Sequence, residues 1–294
     1  MKHLFSLLSL LLAVNSSSAQ PARANAGAAM KLVTAEYSYS GSESLDRAGP
    51  AGGVAVHHSA LSAENRRAVS ATDTFAFGLE FELNSLDTDP GTPLPQRLVE
   101  TALSFTLNRQ FSPRWNATVS IRPGLYGDFE TIDEKMFNAP LLAGAAYAPS
   151  RNLVWLFGLR ANVYSEFPVI PFVGVRWQFD PQWSLNIAFP RSGIRWQVSP
   201  DLALGLGINL QGGTYRVSDN LGTPPGMNGR LANTFVDYRE IRVGVGAEYA
   251  MNKLVLARAD LGAFTNRRFD YFDRDYTLDG DAGIFAAVSL RTTF

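Results

Sequence analysis

The last thirteen residues, AGIFAAVSLRTTF (residues 282–294), alternate between two kinds of side chain. Successive side chains of an extended strand point to opposite faces, so alternate residues share a face. One face carries Ala282, Ile284, Ala286, Val288 and Leu290. The other face carries Gly283, Phe285, Ala287, Ser289, Arg291 and Thr293. The pattern predicts a β-strand with one aliphatic face that runs into an aromatic terminal residue, Phe294.

The same period of two recurs along almost the whole chain from Met30 onward. It is clearest in residues 73–84, 115–122 and 202–211, and none of these runs has the i, i+3, i+4 spacing of a helix. We therefore predict an all-β fold with about fourteen strands. The candidate strands are 31–40, 52–62, 73–84, 97–109, 114–124, 139–148, 152–163, 169–179, 182–189, 192–199, 202–216, 236–250, 253–268 and 282–294. The first two have the weakest pattern, so twelve strands is the alternative.

Short and long connections alternate between these strands. The short turns are 110–114, 149–152, 180–182, 199–201 and 251–253, and the long polar loops are 85–96, 127–137, 218–234 and 265–281. Tight turns at one end and long loops at the other are typical of up-and-down barrels of the outer membrane, which have an even number of antiparallel strands. The hairpin 182–199 departs from this pattern because its strands are short for a membrane span of about nine to eleven residues. Either the wall is low there, or Pro190 marks a bulge.

Two observations favour a single transmembrane antiparallel barrel over a soluble, lipocalin-like one. Aromatic residues cluster on the apolar face beside the short turns, as in the belt at a membrane–water interface. These residues are Phe111, Trp115, Tyr147, Trp155, Phe179, Trp183, Tyr249 and Phe294. The opposite face carries arginines that would line a lumen, namely Arg122, Arg160, Arg176, Arg195, Arg242, Arg258 and Arg291.

The N-terminus predicts export. Lys2, an apolar run from Leu4 to Val14 and the small residues 17–19 form the pattern of a signal peptide over residues 1–19. Residues 20–29 read as a flexible lead, and residues 30–294 as the barrel. The apolar run is too short to span a bilayer as a helix, which needs about twenty residues. The chain has no cysteine, so we expect neither a lipid-anchored N-terminus nor disulfides.

Charge and composition fit this class. Without residues 1–19 the chain keeps 25 basic and 27 acidic residues, which argues against a nucleic-acid partner. Its mean hydropathy of −0.04 suits a barrel, in which only alternate residues need to be apolar.

Four stretches resemble an uncharacterised family of bacterial outer-membrane β-barrel proteins, classed as a domain of unknown function. They are PFVGVRWQFDPQWSLNIAFP (171–190), LQGGTYRVSDN (210–220), DYREIRVGVGAEY (237–249) and TNRRFDY (265–271). The resemblance extends over residues 30–294 and implies the barrel fold and the bacterial outer membrane, but no activity. The strand ending in Phe294 also resembles the closing strand of Gram-negative barrels. That resemblance implies the barrel assembly machinery as a partner, besides outer-membrane lipid and lipopolysaccharide.

The inner arginines suggest a narrow passive channel for small polar or anionic solutes, since rings of Arg favour anions. The alternative is a charge-paired interior, because Glu36, Glu80, Glu82, Glu240, Glu248 and Asp260 share the inner face. We favour pairing, so a non-conducting structural or interaction barrel is the second function to consider. Neither reading requires a cofactor, and the oligomeric state stays open.

Other motifs are weaker, and we assign no catalytic or metal-binding residue. His57 and Ser59 share a strand face, as a membrane-embedded hydrolase would need, but no neighbouring Asn or Asp would orient the imidazole. The acidic loop with Asp270, Asp273, Asp275, Asp279 and Asp281, and the weaker 127–135, lack EF-hand spacing. The glycine pairs 205/207 and 244/246 are not followed by a helix, so we expect them to ease barrel curvature or make room for larger side chains.

Overall fold

The computed structural model describes residues 29–46, 50–188, 190–224, 227 and 229–294. The predicted signal peptide and residues 20–28 of the predicted lead lie outside them. The strands are β1 (Ala29–Asp46), β2 (Pro50–Ala68), β3 (Asp73–Thr88), β4 (Arg97–Ser112), β5 (Trp115–Ile121), β6 (Gly124–Gly127), β7 (Phe137–Asn138), β8 (Leu141–Ser150), β9 (Leu153–Ala161), β10 (Val169–Gln178), β11 (Trp183–Ile187), β12 (Arg191–Gln197), β13 (Leu202–Asn220), β14 (Ala232–Ala250), β15 (Val255–Tyr271), β16 (Tyr276–Gly280) and β17 (Gly283–Thr293). Two 3-10 turns, Glu134–Met136 and Phe272–Arg274, are the helical elements of the described part. No helix in that part is long and apolar enough to cross a bilayer.

Fourteen antiparallel strands form a closed ring, which we call the wide ring. It consists of β1, β2, β3, β4, β5, β8, β9, β10, β11, β12, β13, β14, β15 and β17, each paired with the next, and β17 returns to β1. The two ends of the chain close it, since Lys31 and Phe294 exchange backbone hydrogen bonds of 3.1 and 2.9 Å. The predicted all-β barrel of fourteen strands is confirmed, and the alternative of twelve is wrong.

The aliphatic face of the strands forms the outer surface of the wide ring. Leu79, Leu206 and Val245 are each more than half exposed, while their neighbours in sequence turn inward. An exposed apolar face that runs around a closed barrel is typical of a wall in contact with lipid.

The end of the barrel that carries the long loops narrows to a second ring of nine strands, which we call the narrow ring. It contains β1, β2, β3, β4, β6, β13, β14, β15 and β16. An odd number of strands cannot close by antiparallel pairs alone, and here β13 runs parallel to β6, with Arg216 opposite Gly127. The strand leaves the wide wall at Gly212, whose φ of +131° favours glycine.

The interior of the narrow ring is filled with side chains. Its completely buried residues include Tyr215, Tyr238, Phe269 and Tyr271, packed with aliphatic residues of β1–β4. This packing corrects one expectation from the sequence and explains another. The stretch 265–281 is largely strand, in β15 and β16, because Phe269, Tyr271 and Leu278 point into this core. The weak pattern of β2 arises because Val54 and Val56 point into it as well.

The wall is low at the hairpin of β11 and β12, as one of the two sequence readings expected. These strands have five and seven residues, and β12 pairs with β13 only as far as Asn209. Just above, the amide of Leu210 donates to the carbonyl of Pro190 at 3.1 Å. Beyond this point β13 bends into the barrel and leaves β7–β12 outside the narrow ring.

Candidate functional site

The candidate site is the lumen of the wide ring, together with the elements between this lumen and the narrow ring. Some of its inward-facing charged side chains are in contact with solvent. The Arg195 and Arg191 side chains, for example, are 45% and 41% exposed. In the narrow ring, by contrast, the inward side chains are almost all buried. The wide lumen therefore has room for water, whereas the narrow ring does not.

Four of the seven predicted lumen arginines form ion pairs within the barrel. Arg122 contacts Glu80 at 3.0 Å and Glu100 at 3.2 Å. Arg195 and Arg258 share Glu248 at 3.1 and 2.6 Å, and Arg258 also reaches Asp260 at 2.6 Å. Arg242 pairs with Glu240 at 2.7 Å. These contacts agree with the charge-paired interior.

The other three predicted arginines also project inward. Arg176 and Arg291 are half-buried on β10 and β17. Arg160, on β9, is only 6% exposed, yet its guanidinium has no hydrogen bond or ion pair with any residue that the structure describes, and its Nε is buried without a partner. A buried cation without a partner is costly, so Arg160 is distinct within the lumen.

A buried ionic network separates the wide lumen from the packed narrow ring on the side of β14. Glu240 is fully buried between Arg242 and Arg267, at 2.7 and 2.8 Å. Arg242 reaches Ser38 and Ser40 on β1, and Arg267 donates to the carbonyl of Val54 on β2 at 2.6 Å. The network ties strands that are not neighbours and closes the lumen on this side.

A second polar cluster links opposite walls of the barrel. The Nε2 of Gln211 lies 2.9 Å from the His58 ring, and Tyr215 donates to Glu82 at 3.1 Å. Asn84 bridges the two contacts, since it lies 3.1 Å from His58 and donates to Glu82 at 3.1 Å. Of the predicted lumen residues, Glu82 thus serves to hold β13 against β2 and β3.

The loop 162–168 between β9 and β10 contacts the end of β14 that belongs to the narrow ring. Tyr164 stacks on Phe235 with ring centroids 4.7 Å apart. Ser165 donates to Asp237 at 3.3 Å, and the backbone amide of Glu166 lies 3.4 Å from the same carboxylate. Burial, with the carboxylates of Asp270 and Asp237, raises the pKa of the Glu166 carboxyl. We call this loop the roof.

Buried amides support the roof from below. Asn138 donates to Asn162 at 2.8 Å, Asn162 lies 3.4 Å from Thr214, and Thr214 donates to Asp237. The roof is therefore tied both to β7 and to the bent part of β13 and β14.

The eight predicted belt aromatics lie on the outer surface near the short turns. Seven are more than one-third exposed and Tyr147 is half-buried. Trp115 packs on Tyr147 at 4.7 Å, and Trp183 stacks on Trp196 at 5.6 Å. That this belt sits at a membrane interface stays a prediction.

The other motifs show no catalytic or metal geometry. His57 faces outward, where its Nδ1 lies 2.9 Å from the Tyr37 hydroxyl, and no Asp, Glu or Asn of the described residues hydrogen-bonds it. The described residues contain no group of three His, Cys, Asp or Glu side chains arranged to hold a metal ion. The aspartates of 270–281 instead contact neighbours, such as Asp279 with Arg268.

The glycine pairs permit close approach of neighbouring strands. Gly205 faces Gly246 and Gly207 faces Gly244 across β13 and β14. A Cβ atom at Gly244 would lie 2.5 Å from the carbonyl oxygen of Leu261, so a larger residue does not fit there.

The sequence reasoning missed several residues that shape the lumen. Glu100 and Arg191 follow the inward parity of their strands and could have been found that way. Arg267 and Asn162 lie in stretches read as loop or strand end, where parity gives no signal.

The barrel is similar to several solved structures. The COG4313 outer membrane channel from Pseudomonas putida F1 is 12% identical, with 92% of this chain and 96% of that chain covered and a TM-score of 0.49. A FadL homologue from Pseudomonas aeruginosa is 11% identical, with 90% of each chain covered and a TM-score of 0.46. The Pseudomonas putida toluene transporter TodX is 9% identical, with 92% and 91% covered and a TM-score of 0.44.

No curated protein gives a match to the chain. One family model does, and it covers residues 72–277, which is well over half of the chain. The model is described as a domain of unknown function, DUF6268. The resemblance noted in the sequence is thereby confirmed, and the chain belongs to the DUF6268 family.

Proposed function

We propose that this protein is a narrow passive channel of the bacterial outer membrane for small polar or anionic solutes, closed toward the extracellular side in this conformation. The observation that supports the proposal most is the solvent exposure of charged side chains inside the wide ring. Side chains that only hold a barrel together would be packed, as they are in the narrow ring. A lumen that keeps half-exposed arginines offers a hydrated path over this part of the barrel.

The path leads past the narrow ring rather than through it. The core of the narrow ring has Tyr215, Tyr238 and Phe269 fully buried, so no solute fits between them. Between the bent part of β13–β14 and the truncated strands, only the roof and its amide supports close the gap. These contacts are few and include long hydrogen bonds, so this is where we expect the passage to open.

The pairing of charges inside the wide ring limits how strongly the lumen can select anions over cations. Most inner arginines are neutralised by carboxylates, which leaves little net field in the lumen. Arg160, without an ion-pair partner, is the residue that would favour anions.

Planar-bilayer recordings test the proposal. We expect stepwise conductance from the purified protein, rare for the wild type and more frequent in a variant whose residues 163–167 are replaced by a short glycine–serine linker. The matched control replaces the exposed residues 130–132, which lie outside the roof, by glycine and serine and keeps Asp128 and Asp133. Silence of both the wild type and the roof variant, with heat-modifiable gel mobility showing that each is folded, would rule the channel out.

The second candidate is a non-conducting structural or interaction barrel. It is favoured by the packing of the narrow ring, in which even Arg242 and Arg267 are 1% and 0% exposed. The same recordings decide between the two functions, because the second predicts silence with an intact fold. A hydrolase has no such support, since the side-chain contacts of His57 within the described residues are with Tyr37 and Tyr39.

The outer-membrane location is part of the proposal. It is supported by the exposed aliphatic outer face and by the predicted signal peptide. Outer-membrane lipid and lipopolysaccharide would surround the wall, and the assembly machinery would bind the terminal strand, whose end pairs with β1 through Phe294. Fractionation of cells that express the full chain, with N-terminal sequencing of the membrane-bound form, tests both location and cleavage after residue 19.

A further inference from the structure

The inner wall formed by β8, β9 and β10 differs from the rest of the lumen because its inward side chains are mainly apolar. Leu142 and Ile170 are the cross-strand partners of Arg160 on either side and share its face. All three belong to strands that the narrow ring excludes. Arg160 is thus a single guanidinium set between two aliphatic side chains.

The apolar surface continues from Arg160 toward the periplasmic end. Two residues further along, Gly158 lies opposite Gly144 and Phe172. A Cβ atom at Gly158 would overlap the ring of Phe172, and one at Gly144 would lie 3.8 Å from that ring. The Phe172 ring therefore lies flat against the inner wall, and these glycines make room for it. Leu142, Ile170 and Phe172 all remain partly exposed to the lumen.

The guanidinium has unused donors. Arg160 is 94% buried and donates no hydrogen bond to any described residue, so its planar fork of N–H groups is available. The carboxylates of Asp237 and Glu100 attract it without reaching ion-pair distance, because Asp237 is held by Thr214 and Ser165 and Glu100 by Arg122. Arg122 adds a second positive charge nearby.

We propose that Arg160 and the apolar surface below it form a binding site for an organic monocarboxylate with an apolar body. The carboxylate would accept a bidentate hydrogen bond from Arg160, which is the geometry that Arg provides best. The apolar body would cover Phe172, Leu142 and Ile170. An inorganic anion would also accept hydrogen bonds from the guanidinium, but it would leave these three apolar side chains exposed to water. The inference deepens the proposed channel function by naming a solute class.

Binding is measured by titration calorimetry of the full chain in detergent, with benzoate, acetate and chloride as separate probes. We expect benzoate to bind about tenfold more tightly than acetate, because its ring buries apolar surface. Arg160→Gln should lower the affinity for benzoate by about tenfold or more, because a charge-assisted pair of hydrogen bonds is lost. Arg66→Gln is the matched control. It removes another inner-face arginine, paired with Glu64 at 2.8 Å near the periplasmic end, and should leave benzoate binding unchanged.

Phe172→Ala separates the apolar part of the site from the charge. We expect it to remove the preference for benzoate while acetate binding stays as in the wild type. Equal benzoate affinity in Arg160→Gln and wild type, or equal affinity for benzoate, acetate and chloride, overturns the proposal. If Arg160→Gln does not fold, Arg160→Lys takes its place, and it should also lose affinity because it lacks the planar fork.

The proposed binding site and the proposed channel function can be refuted independently of each other. Binding in detergent requires no conduction, so benzoate binding by a protein that is silent in bilayers would refute the channel and keep the site. Conductance without benzoate binding would refute the binding site and keep the channel.

Discussion

Arg216 and Gly127 pair through their main chains across the mouth of the barrel, where the amide of Asp128 donates to the carbonyl of Arg216 at 2.9 Å. This contact joins two parallel strands and closes the narrow ring. Because it is made by backbone, rotation of a side chain cannot open it. In the proposed channel the passage therefore lies on the side of β7–β12, outside this packed core.

Gly212 is where β13 leaves the wide wall, and replacing it should destabilise the closure. Its φ of +131° strains any residue with a Cβ, and a Cβ there would overlap the carbonyl of Tyr238. We expect Gly212→Ala to lower the free energy of unfolding by about 3 kcal/mol, measured by urea unfolding in lipid vesicles.

Gly222 provides the control for this variant, because it also has a positive φ, of +81°, but nothing lies within 4 Å of a Cβ placed there. Gly222→Ala should lower the free energy of unfolding by about 1 kcal/mol or less, because only conformational strain contributes there. Equal losses in the two variants would mean that the close approach to Tyr238 does not matter.

Asp133 fastens the loop 128–136 to Arg216, and this contact should be pH-dependent. The two Arg216 donors lie 2.9 and 3.1 Å from one carboxylate oxygen. Burial favours the neutral carboxyl, but Arg216 and the amides of Met136 and Lys135 outweigh it and hold the pKa of Asp133 below its usual value. A lowered pKa in the folded state means that the stabilisation is complete above about pH 4 and is lost as the pH falls below it.

Asp133→Asn isolates this contribution. We expect the variant to be about 1 kcal/mol less stable than wild type at pH 7, as for one charge-assisted contact, and the difference to shrink steadily as the pH falls below about 4. A constant difference between pH 3 and pH 7 would show that the charge of Asp133 is not what stabilises the loop.

The strands of the wide ring could be predicted from the sequence because each has lipid on one face and the lumen on the other. That contrast produces alternation, as in β3, where Phe77, Leu79 and Phe81 face outward and Gly78 and Glu80 inward. Above Gly212 the contrast disappears, since residues 211–217 are buried on both faces. A strand buried on both sides carries no period, so the narrow ring and its bend could not be found this way.

Arg160 shows which part of the candidate site could not be predicted from the sequence. Parity places it correctly in the lumen, together with Arg122, but cannot tell which arginine meets a carboxylate. Pairing depends on register between strands far apart in sequence, as for Arg191 with Glu36 at 3.0 Å, 155 residues away. Only three-dimensional positions distinguish the arginines that meet a carboxylate from Arg160, whose Nε has no partner among the described residues.

Glu240 should be among the least replaceable residues of the barrel. It is fully buried and is the acidic partner of both Arg242 and Arg267, which are themselves buried. Glu240→Gln leaves two cations in the interior without a counter-charge, so we expect a loss of about 3–5 kcal/mol in urea unfolding. Glu64→Gln, which breaks the more exposed pair with Arg66, should cost about 1 kcal/mol or less. A similar small loss for both would mean that water reaches the buried network.

The orientation of the wall gives the most direct test of the membrane location. Leu206 lies on the outer face of β13 and is 55% exposed, while its neighbours Gly205 and Gly207 face the lumen. In a bilayer, Leu206→Arg would place a charge against lipid and should cost about 2–4 kcal/mol in urea unfolding from vesicles. Ile132→Arg is the matched control, because Ile132 is 67% exposed in the loop 128–133 and its replacement should change stability by about 0.5 kcal/mol or less. In a water-soluble barrel both arginines would face solvent and neither variant would be destabilised, so equal stabilities would contradict the transmembrane barrel.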